Sequence, residues 1–325
     1  KRSRKHTSKG TGPLWIGGLV LLFFLLGLFF FRDYFRTSTY DFDERIAEGI
    51  YADFVVDPFA KDLAVLTSSD VNVTDIAATS CILAGEGGEL LSSKAATLKL
   101  YPASTTKVMT ALLALKYGNL SDMVTVPPES TITETGTSLA GIHPGDSLTL
   151  EQLLYGLMLP SGNDAANAIA VHVGGSMENF VEMMNKEAQR IGAVDTHFVN
   201  ANGLHNAEHY TTAYDLYLIF HEARKDPRFV KIAGTASYTA RYTTGEGKET
   251  KRNWVNGNRF VSGGVKAPEG IRVLSGKTGT TSAAGSCLVM GSRDAQGREF
   301  ISVILKAENK SILYENMTKI LEKIR

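Results

Sequence analysis

The alternation of apolar and polar positions divides the chain into three parts. Leu14 to Phe31 reads LWIGGLVLLFFLLGLFFF and carries no charge. Its length suits a membrane-spanning helix, which needs about 17–25 apolar residues. FRDYFR follows rather than a small-residue cleavage site, so residues 14–31 read as an uncleaved signal anchor. Lys1, Arg2, Arg4, Lys5 and Lys9 precede the span, and only Arg32 and Arg36 follow closely. That bias makes residues 1–13 a cytoplasmic basic tail and places the rest outside. Residues 32–78 read as a juxtamembrane connector. DERIAEGIYADFV has a weak helical pattern there, and Pro58 ends it.

From residue 79 the patterning tightens. AATSCILAG and ELLSSK flank Glu86-Gly87-Gly88 and predict a hairpin. A helix follows that starts at or after Pro102, with Val108, Met109, Leu112, Leu113 and Leu115 on its apolar side. EQLLYGLML and the run after Asn163 predict two more helices. SCLVMGS and EFISVILKAE, around Asp294 to Gly297, predict a late hairpin. The last segment, SILYENMTKILEKIR, puts Ile312, Leu313, Met317, Ile320, Leu321 and Ile324 on one side. Such a helix packs on a sheet or lies on a membrane. The sheet is expected, because residues 14–31 already supply an anchor.

Composition removes whole classes of function. Lys and Arg number 34, as do Asp and Glu. Without net charge or a basic patch interleaved with aromatics, nucleic acid is excluded as a partner. The two cysteines, Cys81 and Cys287, lie in strand-like apolar runs and read as buried thiols. No CxxC or Cys/His cluster implies a metal, and no cofactor motif is present. His221-Glu222 begins like H-E-x-x-H, but Lys225 stands where the second histidine belongs. No G-x-S-x-G elbow points to a Ser-His-Asp hydrolase.

What remains is YPASTTKVMTALLAL, Tyr101 to Leu115. Ser104 and Lys107 are three apart at a helix start and share one face. The helix N-terminus adds partial positive charge and unpaired N–H groups, which suit a serine whose attack creates an oxyanion. Alone, the pair better fits a capping serine and a solvated lysine. Two further motifs follow: Ser161-Gly162-Asn163 between two helical runs, and Lys277-Thr278-Gly279 before a strand-like segment. S-x-x-K, S-x-N and K-T-G in that order form the set of penicillin-binding proteins and class A β-lactamases.

With these segments the chain, from about Ala77 onward, resembles the serine D-alanyl-D-alanine carboxypeptidases, the low-molecular-mass penicillin-binding proteins of peptidase family S11. LYGLMLPSGNDAANAIA, THFVNANGLHNAEHYTTAYDL, NWVNGN and GKTGTTSAAGSC carry the likeness alongside the nucleophile segment. The resemblance implies an α/β (α+β) fold of the β-lactamase/transpeptidase type over residues 79–325. Its antiparallel sheet would be flanked by helices, with an all-helical lobe inserted between the first and third motifs. The early hairpin and the strands near 272–306 would share that sheet. The resemblance also implies roles. Ser104 attacks the D-Ala-D-Ala carbonyl, neutral Lys107 takes its proton, and Ser161 relays a proton to the leaving amine. Asn163 orients Lys107 and meets the substrate amide. Lys277 and Thr278 hold the terminal carboxylate, and Gly279 keeps the strand open. The N–H groups of Ser104 and Thr280 form the oxyanion hole.

The implied substrates are peptidoglycan stem peptides ending in D-Ala-D-Ala, with β-lactam antibiotics as covalent inhibitors. The lipid bilayer is the third partner, through residues 14–31. The implied location is the bacterial cytoplasmic membrane, single-pass, with the catalytic domain outside. A D,D-endopeptidase would use the same constellation. A class A β-lactamase would need E-x-x-L-N after the second motif, and the nearest string, Glu182-Met183-Met184-Asn185, does not match. A β-lactam-binding domain without catalysis is the remaining alternative. His205 and His209 are expected to be structural, hydrogen-bonding a loop near the cleft. Glu151, Glu178 and Glu182 are expected on helix surfaces.

Overall fold

The computed structural model describes residues 63–67 and 69–324. In chain order they form β1 (Ser80–Gly85), β2 (Leu90–Lys94), α1 (Lys107–Tyr117), β3 (Met123–Thr125), β4 (Ser147–Thr149), α2 (Leu150–Met158), α3 (Asn163–Gly174) and α4 (Met177–Arg190). Then come α5 (Ala213–Arg224), α6 (Pro227–Ala233), β5 (Ser237–Thr243), β6 (Glu249–Val255), β7 (Arg272–Thr281), β8 (Gly285–Arg293), β9 (Glu299–Ala307) and α7 (Lys310–Glu322). The expected tail and membrane span, residues 1–31, lie outside the described residues. Among those described, no helix is long and apolar enough to cross a membrane.

Both expected hairpins form, and they meet in one antiparallel sheet of order β2-β1-β9-β8-β7. β1 pairs with β9 from Ser80 opposite Leu305 to Gly85 opposite Phe300. Side chains alternate across β9, as a strand covered on both sides requires. Phe300 and Ile304 join Leu83, Leu288 and Met290 on one face, where α7 packs with Leu313, Met317, Ile320 and Leu321. Ile301, Val303 and Leu305 face the other way, toward the core built from α1 and α5. The closing helix therefore buries its apolar side on the sheet. Cys81 and Cys287 are both free and buried, as their apolar runs indicated. Burial pushes their thiols up, to about 12 and about 11.

The inserted lobe is not all-helical. It contains a second antiparallel sheet of order β3-β4-β5-β6, in which Trp254 Nε1–H of β6 donates to Ala140 O of the loop before β4 at 2.9 Å. Its strands are short or solvated. β3 and β4 bury one residue each, Val124 and Leu148, and β5 and β6 bury only Ala240, Tyr242 and Trp254. The apolar alternation that betrays a half-buried strand is correspondingly faint.

The end of the stretch read as connector lies against the domain. Ala64 is fully buried, its N–H donating to Tyr217 Oη at 3.2 Å and its carbonyl accepting from Tyr214 Oη at 2.9 Å. Val71 bridges to Ser93, and Ile76 joins the core under α7.

Candidate active site

The nucleophile segment begins with a turn, not with the α-helix itself. Pro102 precedes a 3-10 turn over Ala103–Thr106, and α1 starts at Lys107. Ala103 sits at φ +48°, a left-handed conformation uncommon outside glycine. Thr105 and Thr106 hydroxyls donate back to Pro102 O and Ala103 O at 2.7 and 2.8 Å, which closes the turn. α1 is buried along its length from Lys107 to Leu115, so it runs through the middle of the domain.

Inside it, Lys107 is completely buried. Its Nζ lies 2.9 Å from Ser104 Oγ, 2.7 Å from Asn163 Oδ1 and 2.5 Å from Asn202 O. Burial and the nearby charge of Lys277 hold this amine well below the usual lysine range, against the pull of Asp164. The geometry then assigns the remaining protons. A neutral amine has two N–H groups and one lone pair. The Asn202 carbonyl and Asn163 Oδ1 can only accept, so they take both N–H groups. The lone pair is left facing the Ser104 hydroxyl, the orientation a general base needs.

The second motif sits in the tight link between α2 and α3. Ser161 is another non-glycine residue with positive φ, +66°. Backbone held in sparsely populated regions clusters at functional sites, and here two such residues flank one cleft. Asn163 opens α3 and aims at Lys107. Asp164, next along, is buried. Its carboxylate accepts from the N–H groups of Ala140, Gly141 and Ile142 at 2.8, 2.7 and 3.1 Å. It thereby pins the segment beside Ser138, whose carbonyl accepts the Asn163 N–H at 2.9 Å.

The third motif lies on β7 itself, not before it. β7 is the sheet edge nearest the nucleophile turn. Lys277 is 2% exposed, and its Nζ donates to Ser161 Oγ at 2.9 Å and to Thr278 O at 2.8 Å. Burial lowers its ammonium to about 7. Since Ser161 Oγ accepts from Lys277, its own proton is free to point into the cleft. A Cβ at position 279 would come within 2.8–2.9 Å of Ser104 N, Pro102 O and Thr105 N. Only glycine lets the strand approach that closely.

Ser104, Ser161, Thr278, Gly279 and Thr280 thus line one cavity of about 290 Å³. Arg259 and Tyr314 complete its far wall. No carboxylate lies among the residues that line it. Every expected site residue therefore converges, with Lys107, Asn163 and Lys277 behind the cleft surface. Sequence reasoning missed Asn202 and Asp164. Asn202 acts through a backbone carbonyl, which has no side-chain signature. Asp164 was legible only as an acid in the first turn of a helix. His205 packs edge-on against Tyr101, with ring centroids 4.7 Å apart, and His209 is buried beside Thr106. His209 fits the hydrogen-bonding part expected of it, whereas His205 is exposed and, among the described residues, packs on Tyr101 without a side-chain hydrogen bond. Glu182 is surface-exposed and paired with Lys186.

A protein-family profile described as D-alanyl-D-alanine carboxypeptidase, Peptidase S11, matches residues 66–309. The D-alanyl-D-alanine carboxypeptidase DacF of Bacillus subtilis is 32% identical over 273 residues, 83% of this chain and 66% of DacF. The D-alanyl-D-alanine carboxypeptidase of Streptomyces sp. (strain K15) is 33% identical over 245 residues, 72% of this chain and 82% of the relative. The chain spans a smaller part, 57%, of DacC of Escherichia coli. Among solved structures, the Streptomyces K15 DD-transpeptidase superposes with a TM-score of 0.70 at 33% identity. That match covers 76% of this chain and 97% of the transpeptidase.

Proposed function

This chain belongs to the D-alanyl-D-alanine carboxypeptidase family, Peptidase S11, and from that premise we propose that it is a serine peptidase removing the terminal D-alanine from peptidoglycan stem peptides. The observation that carries the proposal is the buried Lys107 amine, 2.9 Å from Ser104 Oγ with both its N–H groups engaged elsewhere.

Ser104 Oγ attacks the carbonyl of the D-Ala-D-Ala bond as Lys107 takes its proton. The tetrahedral oxyanion is received by the N–H groups of Ser104 and Thr280. As the C–N bond breaks, Ser161 passes its proton to the departing nitrogen and draws on Lys277 behind it. Lys277 and Thr278 hold the carboxylate of the leaving D-alanine. Asn163 keeps Lys107 in place and offers its amide N–H to the substrate. Gly279 leaves the edge of β7 free to run alongside the substrate backbone. Water then hydrolyses the acyl-enzyme. A β-lactam opens onto Ser104 by the same attack and deacylates slowly.

The DD-transpeptidase name of the Streptomyces K15 structure favours a second reading, in which an amine replaces water as acyl acceptor. A D,D-endopeptidase differs only in the size of the leaving group. The carboxylate-free lining weighs against a β-lactamase, whose deacylating water is held by a glutamate. Location belongs to the same proposal. Residues 14–31 anchor the chain in the bacterial cytoplasmic membrane, with residues 1–13 inside and the catalytic domain outside. The uncharged span and the excess of basic residues before it support this reading.

The test uses the full chain in detergent micelles, with Ser104→Ala as control. It is incubated with a fluorescent penicillin and, separately, with a peptide ending in D-Ala-D-Ala. Stable labelling and release of D-alanine are expected, and both vanish in Ser104→Ala. Labelling without release shifts the assignment to an endopeptidase or a non-catalytic β-lactam-binding domain. Rapid penicillin turnover makes it a β-lactamase. Absence of label on the folded wild type overturns the nucleophile assignment.

A further inference from the structure

His209 is 2% exposed and takes no part in the chemistry above. It stands between the nucleophile turn and the segment beneath it. Its Nε2 lies 2.8 Å from Thr106 Oγ1, and the Val199 N–H donates to its Nδ1 at 3.2 Å. Its ring meets Phe198 edge-on, with centroids 5.5 Å apart. The hydrogen bonds fix the tautomer. Thr106 spends its one hydroxyl proton on Ala103 O, so toward His209 it can only accept, and Nε2 must carry a proton. Val199 donates to Nδ1, so that nitrogen keeps its lone pair. Both requirements describe the same neutral ring. Burial above all lowers the imidazole to about 3, so the ring stays neutral throughout the physiological range.

The two ends of this bridge are the two supports of the reactive pair. On one side is the turn that holds Ser104, strained at Ala103. On the other is the segment from Phe198 to Gly203. That segment receives the Thr110 hydroxyl at Ala201 O, 2.6 Å away, and the Lys107 amine at Asn202 O. The two sides otherwise meet where Gly203 packs on Ala103 O.

We propose that His209 is a positioning residue: through Thr106 and Val199 it fixes the nucleophile turn to the segment whose carbonyl holds the Lys107 amine. This inference rests on the reading of Ser104 as nucleophile and Lys107 as its base. Without the bridge, the Ala103–Thr106 turn relaxes and Ser104 moves relative to Lys107. Displacements of about 1 Å cost reacting groups about a hundredfold in rate.

The experiment measures the acylation rate constant of the full chain by a fluorescent penicillin, with thermal melting as the check on folding. His209→Phe fills the site without a donor, and His209→Gln keeps an N–H within reach of Thr106. Thr106→Val removes the acceptor, and Thr106→Ser retains it. The expected result is acylation slowed about tenfold to a hundredfold in His209→Phe and in Thr106→Val. His209→Gln and Thr106→Ser should recover most of the rate. The double variant His209→Phe/Thr106→Val should be no slower than the slower single one, because both break the same link. If His209→Phe misfolds, His209→Leu takes its place, since Thr106→Val also removes the hydroxyl's bond to Ala103 O. Folded His209→Phe or Thr106→Val acylating at the wild-type rate overturns the inference, as do independent, multiplying losses. Those results are distinct from an unlabelled wild type, which overturns the nucleophile reading and the positioning role with it.

Discussion

At the scale of single residues, the site is governed by two amines that share one buried space. Two ammonium groups cannot both stay charged there, and Lys107 is the one forced neutral, with Lys277 keeping its proton to about 7. On the proposed mechanism, acylation needs Lys107 without its proton and Lys277 with its own. The rate should therefore rise as Lys107 deprotonates and fall again as pH passes about 7. A bell-shaped profile of kcat/KM is expected, since that quantity reports the free enzyme. Lys277→Arg keeps the charge at all working pH. It should move the alkaline limb upward whatever it does to the maximum rate. A limb that stays in place would detach Lys277 from it. The identities of these residues were legible in the sequence because three spaced motifs select them. The neutrality of Lys107 was implied by the resemblance alone, because its cause is burial beside Lys277, which no local pattern encodes.

At the scale of elements, the cleft is a meeting of three pieces of backbone: the turn before α1, the edge strand β7 and the loop around Gly203. Two glycines set their separation. Gly203 has φ +84°, and a Cβ there would lie 2.0 Å from Ala103 O. Gly203→Ala should cost about 1–3 kcal/mol in urea unfolding, through backbone strain and the clash together. It should also slow penicillin acylation, because the nucleophile turn is what it displaces. An unchanged unfolding midpoint would mean that the loop yields without cost. The large sheet was readable because both its hairpins carry short apolar runs on either side of clear turns. The small sheet was not: its strands are three to seven residues long, and β5 and β6 bury only three side chains between them. The 3-10 entry to α1 was hidden for another reason. Ala103 adopts a conformation its residue type disfavours, and contacts from distant segments hold it there.

At the scale of the whole molecule, the buried ionisable groups couple stability to pH. Lys107 and Lys277 bind protons more weakly folded than unfolded, so the unfolded chain holds more protons above about pH 7. Stability from these two groups therefore rises with pH. Cys81 and Cys287 act in reverse. Their ordinary value is 9.0, and burial raises both, so the unfolded chain loses those protons first and stability falls above about pH 9. The melting temperature is expected to climb between about pH 7 and 9. Lys277→Met should flatten that climb, and an unchanged slope would show that Lys277 titrates normally.

The strand order carries a consequence for how the enzyme comes into being. β7, with its motif, hangs on β8, β8 on β9, and β9 on β1. Synthesis delivers these strands in sequence, and β9, which joins both ends of the sheet, emerges after all the other strands described. A nascent chain that has already exposed Ser104 and Lys107 has no edge strand to set opposite them. On the proposed mechanism, Ser104 therefore stays dormant toward penicillin until β9 has emerged and β7 is in place.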